Sequence, residues 1–266
     1  MLSTKLNTKL SELGLDPKNV EKVVTAAIAE DLAGGSDVTS KSTIPENQNS
    51  IAEFVARKPG IVAGLNVAAA VLESEGITEY EILVSEGSHI NAGQVLLRAK
   101  GNTRKLLLTE RTALNLLGRL SGVATLTNRW VSEVKGTKTK IRDTRKTTPF
   151  LREFEKFAVR MGGGENHRMS LSDAALIKDN HVLAAGGVVK AFDSVRKNYP
   201  NIPLEVEVDS LDQLKEVVEA GAELVLLDNM SPDECRAAVE IVSGRCRLEA
   251  SGGLSIENAS TYAETG

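Results

Sequence analysis

The stretch AALIKDNHV, residues 174–182, runs from apolar side chains directly into Lys178, Asp179, Asn180 and His181. It reads as a parallel strand that is buried along Ala174 to Ile177 and delivers Lys178 at its carboxyl end, with Asp179, Asn180 and His181 continuing into a loop. Carboxyl ends of parallel strands are where α/β sheets hold ligands. Four further segments repeat the pattern: KIRD (140–143), LEVEV (204–208), ELVLLD (223–228) and RLEAS (247–251). Helical patterns lie between them, one starting at Pro149 with Leu151, Phe154, Phe157 and Met161 at helical spacing. Strand, helix, strand with short loops implies right-handed crossovers, and hence a closed barrel or an open doubly wound sheet.

The first half has a different rhythm. Asp16 and Pro17 start a helix as N-cap and first helical residue, followed by Val20, Val23, Val24, Ala27 and Ile28 at helical spacing. Glycine-punctuated short strands, IAEFVAR and YEILV, come next and suggest a small α+β module. Residues 104–134 read as helical, with Glu110 and Arg111 set into an otherwise apolar run. That pair is either a solvated helix face or, for Arg111, a reach across a subunit interface. His89 sits in a turn without partners at ligand spacing and is given no role.

At 266 residues the chain suits one large domain or two smaller ones, and two is the working expectation. A hydrophobic content of 41% with 26% charged residues fits a soluble globular protein. The net charge of −4 argues against a nucleic-acid partner held by bulk electrostatics, so any positive site must be local. No secretory signal or membrane-spanning run is evident, and a cytoplasmic location is the simple expectation. Cys235 and Cys246 lack metal-ligand spacing and read as packing residues.

The strand ends carry the chemistry. They supply Asp143, Thr144, Arg145 and Lys146, then Lys178 and Asp179, then Glu207 and Asp209, then Asp228, and finally Ser251 before Gly252 and Gly253. The loop GGGENHR adds His167 and Arg168. Any one of these alone is an ordinary surface charge. Charges converging on one mouth must pair with each other or with a ligand, because an unpaired charge withdrawn from water is costly. Arg145, Lys146, Arg168 and Lys178 imply an anionic substrate bearing carboxylate or phosphate. Glu207 and Asp228 suit a Mg²⁺ ion shared with substrate oxygens. Ser251-Gly252-Gly253 precedes a helical pattern whose N-terminus could hold phosphate.

The segments IRDTRKTTPFLR, EKFAVRMGGGENHR, LIKDNHV, EVEVDSL, LLDNM and EASGGL, with EDLAGGSDVTS and LTERTALNLLGRLSG before them, resemble the quinolinate phosphoribosyltransferase family over nearly the whole chain. The resemblance implies an N-terminal α/β sandwich domain (1–115) and a C-terminal incomplete, open α/β barrel (116–266), assembled as a homodimer, or an oligomer of dimers, whose active sites use both subunits. It implies phosphoribosyl transfer from phosphoribosyl pyrophosphate to quinolinate with decarboxylation, giving nicotinate mononucleotide for NAD synthesis. On this match Arg111 of a partner subunit, Arg145, His167, Arg168 and Lys178 bind the pyridine dicarboxylate, and Lys146 meets phosphate. Glu207 and Asp228 meet Mg²⁺ and the ribose hydroxyls, and Thr144, Ser251, Gly252 and Gly253 complete the binding set. The chain departs from the family pattern at Phe150 and Ser170, where many relatives carry Gly, and it stops before the family's last strand and phosphate loop. Competing readings are an aldolase-type Schiff base on Lys178, an inert dicarboxylate binder, and a paralogue acting on another base.

Overall fold

A computed structural model describes residues Met1–Gly266. By its internal contacts the chain forms two units, Met1–Asn128 with Arg142–Asn166, and Arg129–Ile141 with His167–Gly266.

The first unit begins with helices α1 (Thr4–Glu12), α2 (Pro17–Leu32) and α3 (Val38–Thr43). Asp16 caps α2 by accepting from the Lys18 amide, Pro17 occupies the first turn, and Val20, Val24 and Ile28 are buried, as the sequence predicts. Strand β1 (Asn49–Val55), the short β2 (Gly60–Ile61), helix α4 (Leu65–Ser74), β3 (Glu79–Ile82), the short β4 (His89–Ile90) and β5 (Val95–Asn102) follow. β1, β5 and β3 form an antiparallel sheet in that order, and β2 pairs with β4. α4 is buried along almost its whole length, and its capping Gly64 has no side chain to satisfy the first amides. Glu86 does so instead, accepting from the amides of Gly64 at 2.7 Å and Asn66 at 2.9 Å.

Helix α5 (Thr103–Glu133) runs unbroken for 31 residues. The expected boundary at 115/116 therefore falls inside one helix, and the contact grouping divides the chain further on, after Asn128. KIRD is not a strand: its only sheet-like contact is a single bridge from Arg142 to Glu165, and residues 142–166 group with the first unit. With one apolar side chain in four, the segment lacks the alternation of a strand, and Ile141 packs against Val134, Ala259 and Ala263. Helix α6 (Arg152–Met161) starts three residues after Pro149 and buries Phe154 and Phe157.

The second unit contains β6 (Ala175–Ile177), α7 (Asp179–Ala185), α8 (Val188–Asn198), β7 (Leu204–Val208), α9 (Leu211–Glu219), β8 (Leu224–Asp228), α10 (Pro232–Val242), β9 (Arg247–Ser251), a single 3₁₀ turn at Ile256–Asn258 and α11 (Ala259–Ala263). The four strands form one parallel sheet in the order β6-β7-β8-β9, an open α/β barrel-like arrangement in keeping with the expected fold class. Successive side chains of a strand point to opposite faces. Ile177, Leu204, Val206, Val208, Val225 and Leu227 accordingly join Val188, Phe192, Leu214, Val217, Cys235 and Ala238 in one apolar core. Cys235 is thus a packing residue, and burial pushes its thiol up. No helix is long and apolar enough to cross a membrane.

Two positions test the first unit. A methyl group on Gly162 would lie 2.4 Å from the Ala124 carbonyl oxygen and 2.7 Å from the Thr127 Cβ, so Gly162→Ala should cost about 1–3 kcal/mol, read as a lower denaturant midpoint. Burial disfavours the Glu155 carboxylate, but bonds from Arg119 and Thr148 outweigh this and hold its carboxyl below the usual glutamate range. A lowered folded value means that this stabilisation is complete above the unfolded glutamate pKa of about 4.3 and is lost as pH falls through the folded value. Glu155→Gln should therefore melt at a lower temperature than the parent at pH 7, and the gap should close in strong acid.

Candidate active site

Because Val206, Val225 and Leu227 face the helices, the residues between them face the other way. Register pairs Leu176 with Glu205, Glu207 with Leu226, Leu226 with Glu249, and Asp228 with Ser251. One face of the sheet thus carries Glu205, Glu207, Asp228, Glu249 and Ser251, among which Leu176 and Leu226 are the apolar members. Neither Leu176 nor Leu226 belongs to the core on the helix side.

Lys178 follows β6 in extended conformation and is the N-cap of α7. Its Nζ lies 3.5 Å from Glu207 Oε2, with the lysine side chain 46% exposed and the glutamate 14%. The cation is therefore tethered loosely, in reach of solvent and of any anion that displaces the glutamate. Asp179, Asn180 and His181 are not a loop: they form the first turn of α7, and the His181 ring Nδ1 accepts the Lys178 amide at 2.9 Å. The ring closes the helix start in the way that a Glu or Gln closes a capping box. His181 thereby fixes the backbone that presents Lys178.

Asp228 ends β8 and accepts a 2.8 Å bond from the side-chain amide of Asn229, whose backbone is left-handed at φ 56°. The Asn229 amide donates to the Ser251 carbonyl at 2.8 Å, tying the ends of β8 and β9 together. Gly252, at φ 85°, passes so close that a Cβ would stand 2.2 Å from Asn229 Oδ1. The segment after Gly253 (φ 65°) is a single 3₁₀ turn leading to the five-residue α11, so the expected phosphate site at a helix N-terminus lacks the helix that would supply a dipole.

His167 and Arg168 lead into β6. The His167 Nε2 is 2.5 Å from Glu205 Oε2, and Nδ1 accepts the Arg168 amide at 2.8 Å. The Arg168 guanidinium donates to the Ala174 carbonyl at 2.9 Å. Asp173 accepts from the Met169 and Ser170 amides and from the Ser170 hydroxyl, so Ser170, one of the departures from the family pattern, staples this turn.

Within the first unit, Thr144, Arg145 and Lys146 lie in a loop before α6. Thr144 Oγ1 accepts the Lys146 amide at 3.0 Å, and Arg145 carries a buried Nε that has no hydrogen-bond partner. A buried guanidinium donor left open in this way suits an incoming anion. The loop is pinned from both sides. Lys156, fully buried, is paired with Asp143, and Asn166 bridges Asp143 Oδ2 and the Lys156 carbonyl. Glu155 accepts the Thr148 amide at 3.1 Å and two bonds from Arg119. Phe150 has φ 66° and is 88% exposed, a backbone conformation that glycine adopts more readily than phenylalanine. Arg111 is exposed on α5 and borders a 730 Å³ cavity with Phe54, Arg57, Lys58, Glu110 and Leu114.

The sheet thus collects Lys178, Glu207, Asp228 and Ser251 on one face, while Arg111, Thr144, Arg145 and Lys146 belong to the first unit. Sequence reading passed over Glu205, Glu249 and Asn229, and gave His181 only a supporting role in a loop. For the two glutamates the signal was present: in LEVEV and RLEAS the same alternation that turns Glu207 and Ser251 inward also turns Glu205 and Glu249 inward. Asn229 and His181 act through backbone geometry and had no such signal.

Lys178, Glu207 and Asp228 at the carboxyl ends of parallel strands are a set of charges that suits an enzyme of the transferase class acting on anionic substrates. Residues 37–121 match the quinolinate phosphoribosyl transferase N-terminal domain, and residues 123–266 match its C-terminal domain. The chain is 48% identical over 249 residues to the Mycobacterium leprae nicotinate-nucleotide pyrophosphorylase [carboxylating], covering 91% of this chain and 88% of that one. A solved nicotinate-nucleotide pyrophosphorylase from Francisella tularensis is similar at TM-score 0.89 and 39% identity, covering 94% of this chain and 88% of that one. NadC from Streptococcus pyogenes is similar at TM-score 0.89 and 37% identity, covering 93% and 88%. The chain belongs to the quinolinate phosphoribosyltransferase family.

Gly252→Ala should meet Asn229 directly and also incur the left-handed backbone cost of about 1–2 kcal/mol. Turnover should fall at least tenfold while the melting temperature drops by only a few degrees; unchanged turnover would show that the β8–β9 junction can open without consequence.

Proposed function

We infer that the chain transfers the phosphoribosyl group of phosphoribosyl pyrophosphate to quinolinate and releases CO₂ and pyrophosphate, yielding nicotinate mononucleotide for NAD biosynthesis. The family membership and the 48% identity to a carboxylating nicotinate-nucleotide pyrophosphorylase carry this conclusion. The Schiff-base reading of Lys178 finds no support: the lysine is half-exposed beside Glu207, whereas such a nucleophile needs apolar surroundings.

Lys178, Arg168 and Arg145 bind the two carboxylates of quinolinate and hold its ring nitrogen towards the anomeric carbon. Arg145 favours this role through its unpartnered buried Nε, and Lys178 through its loose tether. Lys146, exposed beside Thr144, meets phosphate. Departure of pyrophosphate leaves an oxocarbenium-like ribosyl group, so positioning and charge stabilisation supply the rate and no side-chain nucleophile is needed. Glu207 and Asp228 offer hard oxygen donors from the same sheet face on adjacent strands, which fits Mg²⁺, and the ion would neutralise the leaving pyrophosphate. Once the pyridine nitrogen is ribosylated, the adjacent ring cation stabilises the electron pair that CO₂ leaves on the neighbouring ring carbon until a proton from water takes the place of the lost carboxylate, and Lys178 and the arginines keep the second carboxylate in place. Arg111 acts in the site of a second copy of the chain in a homodimer, a reading supported by its exposure on α5 beside exposed Leu107. A cytoplasmic location accords with this reading.

Lys178→Ala should raise the quinolinate KM about tenfold, a loss of about 1.4 kcal/mol in binding, and leave the phosphoribosyl pyrophosphate KM near that of the parent. Asp228→Asn should lower kcat about a hundredfold and weaken the Mg²⁺ response. Product assay with quinolinate, phosphoribosyl pyrophosphate and Mg²⁺ checks both. Absence of CO₂ release by the parent chain would refute the assignment.

A further inference from the structure

Glu205 stands between Leu204 and Val206 on β7, is only 4% exposed, and has one oxygen, Oε1, buried without any partner. A carboxylate so placed needs a strong partner. Its partner is His167, and the hydrogen bonds settle which ring nitrogen holds the proton. Nδ1 accepts the Arg168 amide and so carries no hydrogen; Nε2 must then be the N–H that donates to Glu205 Oε2. Both ring nitrogens are engaged within the chain in this arrangement.

The ring transmits position. Arg168 is tied through its amide to His167 and through its guanidinium to the Ala174 carbonyl, one residue before β6. We propose that Glu205 is the positioning residue of the dicarboxylate site: it holds His167 as the Nε2–H tautomer, and the ring in turn holds the backbone from which Arg168 projects. The proposal rests on the reading of Arg168 as a ligand of the quinolinate carboxylates.

His167, Glu205 and Glu249 also place ligand atoms within 4.8 Å of one another, a grouping that could accept a divalent transition-metal ion. The Arg168 amide decides against a resident ion. A metal on Nε2 would drive the proton to Nδ1, where it would point at the Arg168 N–H. The bare Oε1 has another consequence. Glutamine at this position keeps an oxygen for His167 and places its NH₂ where no bond is now made, so it should do the work of the glutamate. Leucine, of similar size, leaves the buried Nε2–H unpaired.

The test combines ¹⁵N NMR of the His167 ring with steady-state kinetics on the full chain, for the parent, Glu205→Gln and Glu205→Leu. The parent and Glu205→Gln should both show a protonated Nε2 and bare Nδ1, with quinolinate KM within twofold of each other. Glu205→Leu should lose that single tautomer and raise the quinolinate KM about tenfold, with the phosphoribosyl pyrophosphate KM within twofold. A protonated Nδ1 in the parent overturns the proposal, as does a Glu205→Gln variant impaired in quinolinate KM, equal change in both KM values in Glu205→Leu, or stoichiometric Zn²⁺ binding that displaces the Nε2 proton. The spectra of the parent and Glu205→Gln decide the matter even where Glu205→Leu does not fold. A parent chain with the expected tautomer but no turnover would sink the functional reading and leave the His167–Glu205 pair standing.

Discussion

The apolar contact between the β6-β7-β8-β9 sheet and helices α8, α9 and α10 is the constraint on which the second unit depends. Ile177, Val206, Val225 and Leu227 can reach that core only in one register. A slip of one residue would send Glu205, Glu207 and Asp228 into it and expose the valines. Hydrophobic burial therefore enforces the placement of the charges on the opposite face. It also explains how a chain can hold several carboxylates and cations close together: their repulsion and desolvation are offset by packing on the other side of the same strands.

Holding the charged groups at useful angles is a second task, and it falls to groups that touch no ligand. His181 closes the turn that presents Lys178, Asn229 latches Asp228 to the end of β9, and the Glu155–Arg119 pair pins the loop of Arg145. His181 and Glu155 each accept a backbone amide that a sharp change of chain direction leaves open, whereas Asn229 donates its side-chain amide to Asp228 and its backbone amide to the Ser251 carbonyl. Asn229 follows Asp228 directly and His181 lies in the first turn after Lys178, which is why those two motifs extend beyond the charged positions, whereas Arg119 reaches the Arg145 loop from a distant helix.

This division also explains what was legible in the amino-acid sequence. LEVEV, ELVLLD and RLEAS stand out because β-branched and leucine residues alternate over a full strand length, and the helix after Asp16-Pro17 because cap and periodicity agree. KIRD was misread because its polar end resembled those of the real strands, although its single isoleucine packs with Val134, Ala259 and Ala263 and the segment makes only one bridge. Lys178, Glu207 and Asp228 were found because charge at a strand end is conspicuous. The start of α7 was missed because a histidine does there what a glutamate usually does, and Glu205 because attention fell on the strand end, although alternation turns it to the same face as Glu207. Arg145 and Lys178 could be seen as cations, but only the structure shows one with an open buried donor and the other on a loose tether.

Phe150 carries the left-handed backbone of the Arg145 loop without a glycine and with its ring almost wholly in solvent. Nothing packs against the ring to compensate, so the strain, of order 1–3 kcal/mol, is carried by the rest of the fold. A residue held at φ 66° with no packing of its own ring shows that the loop's shape is imposed by its anchors and not by its own preferences.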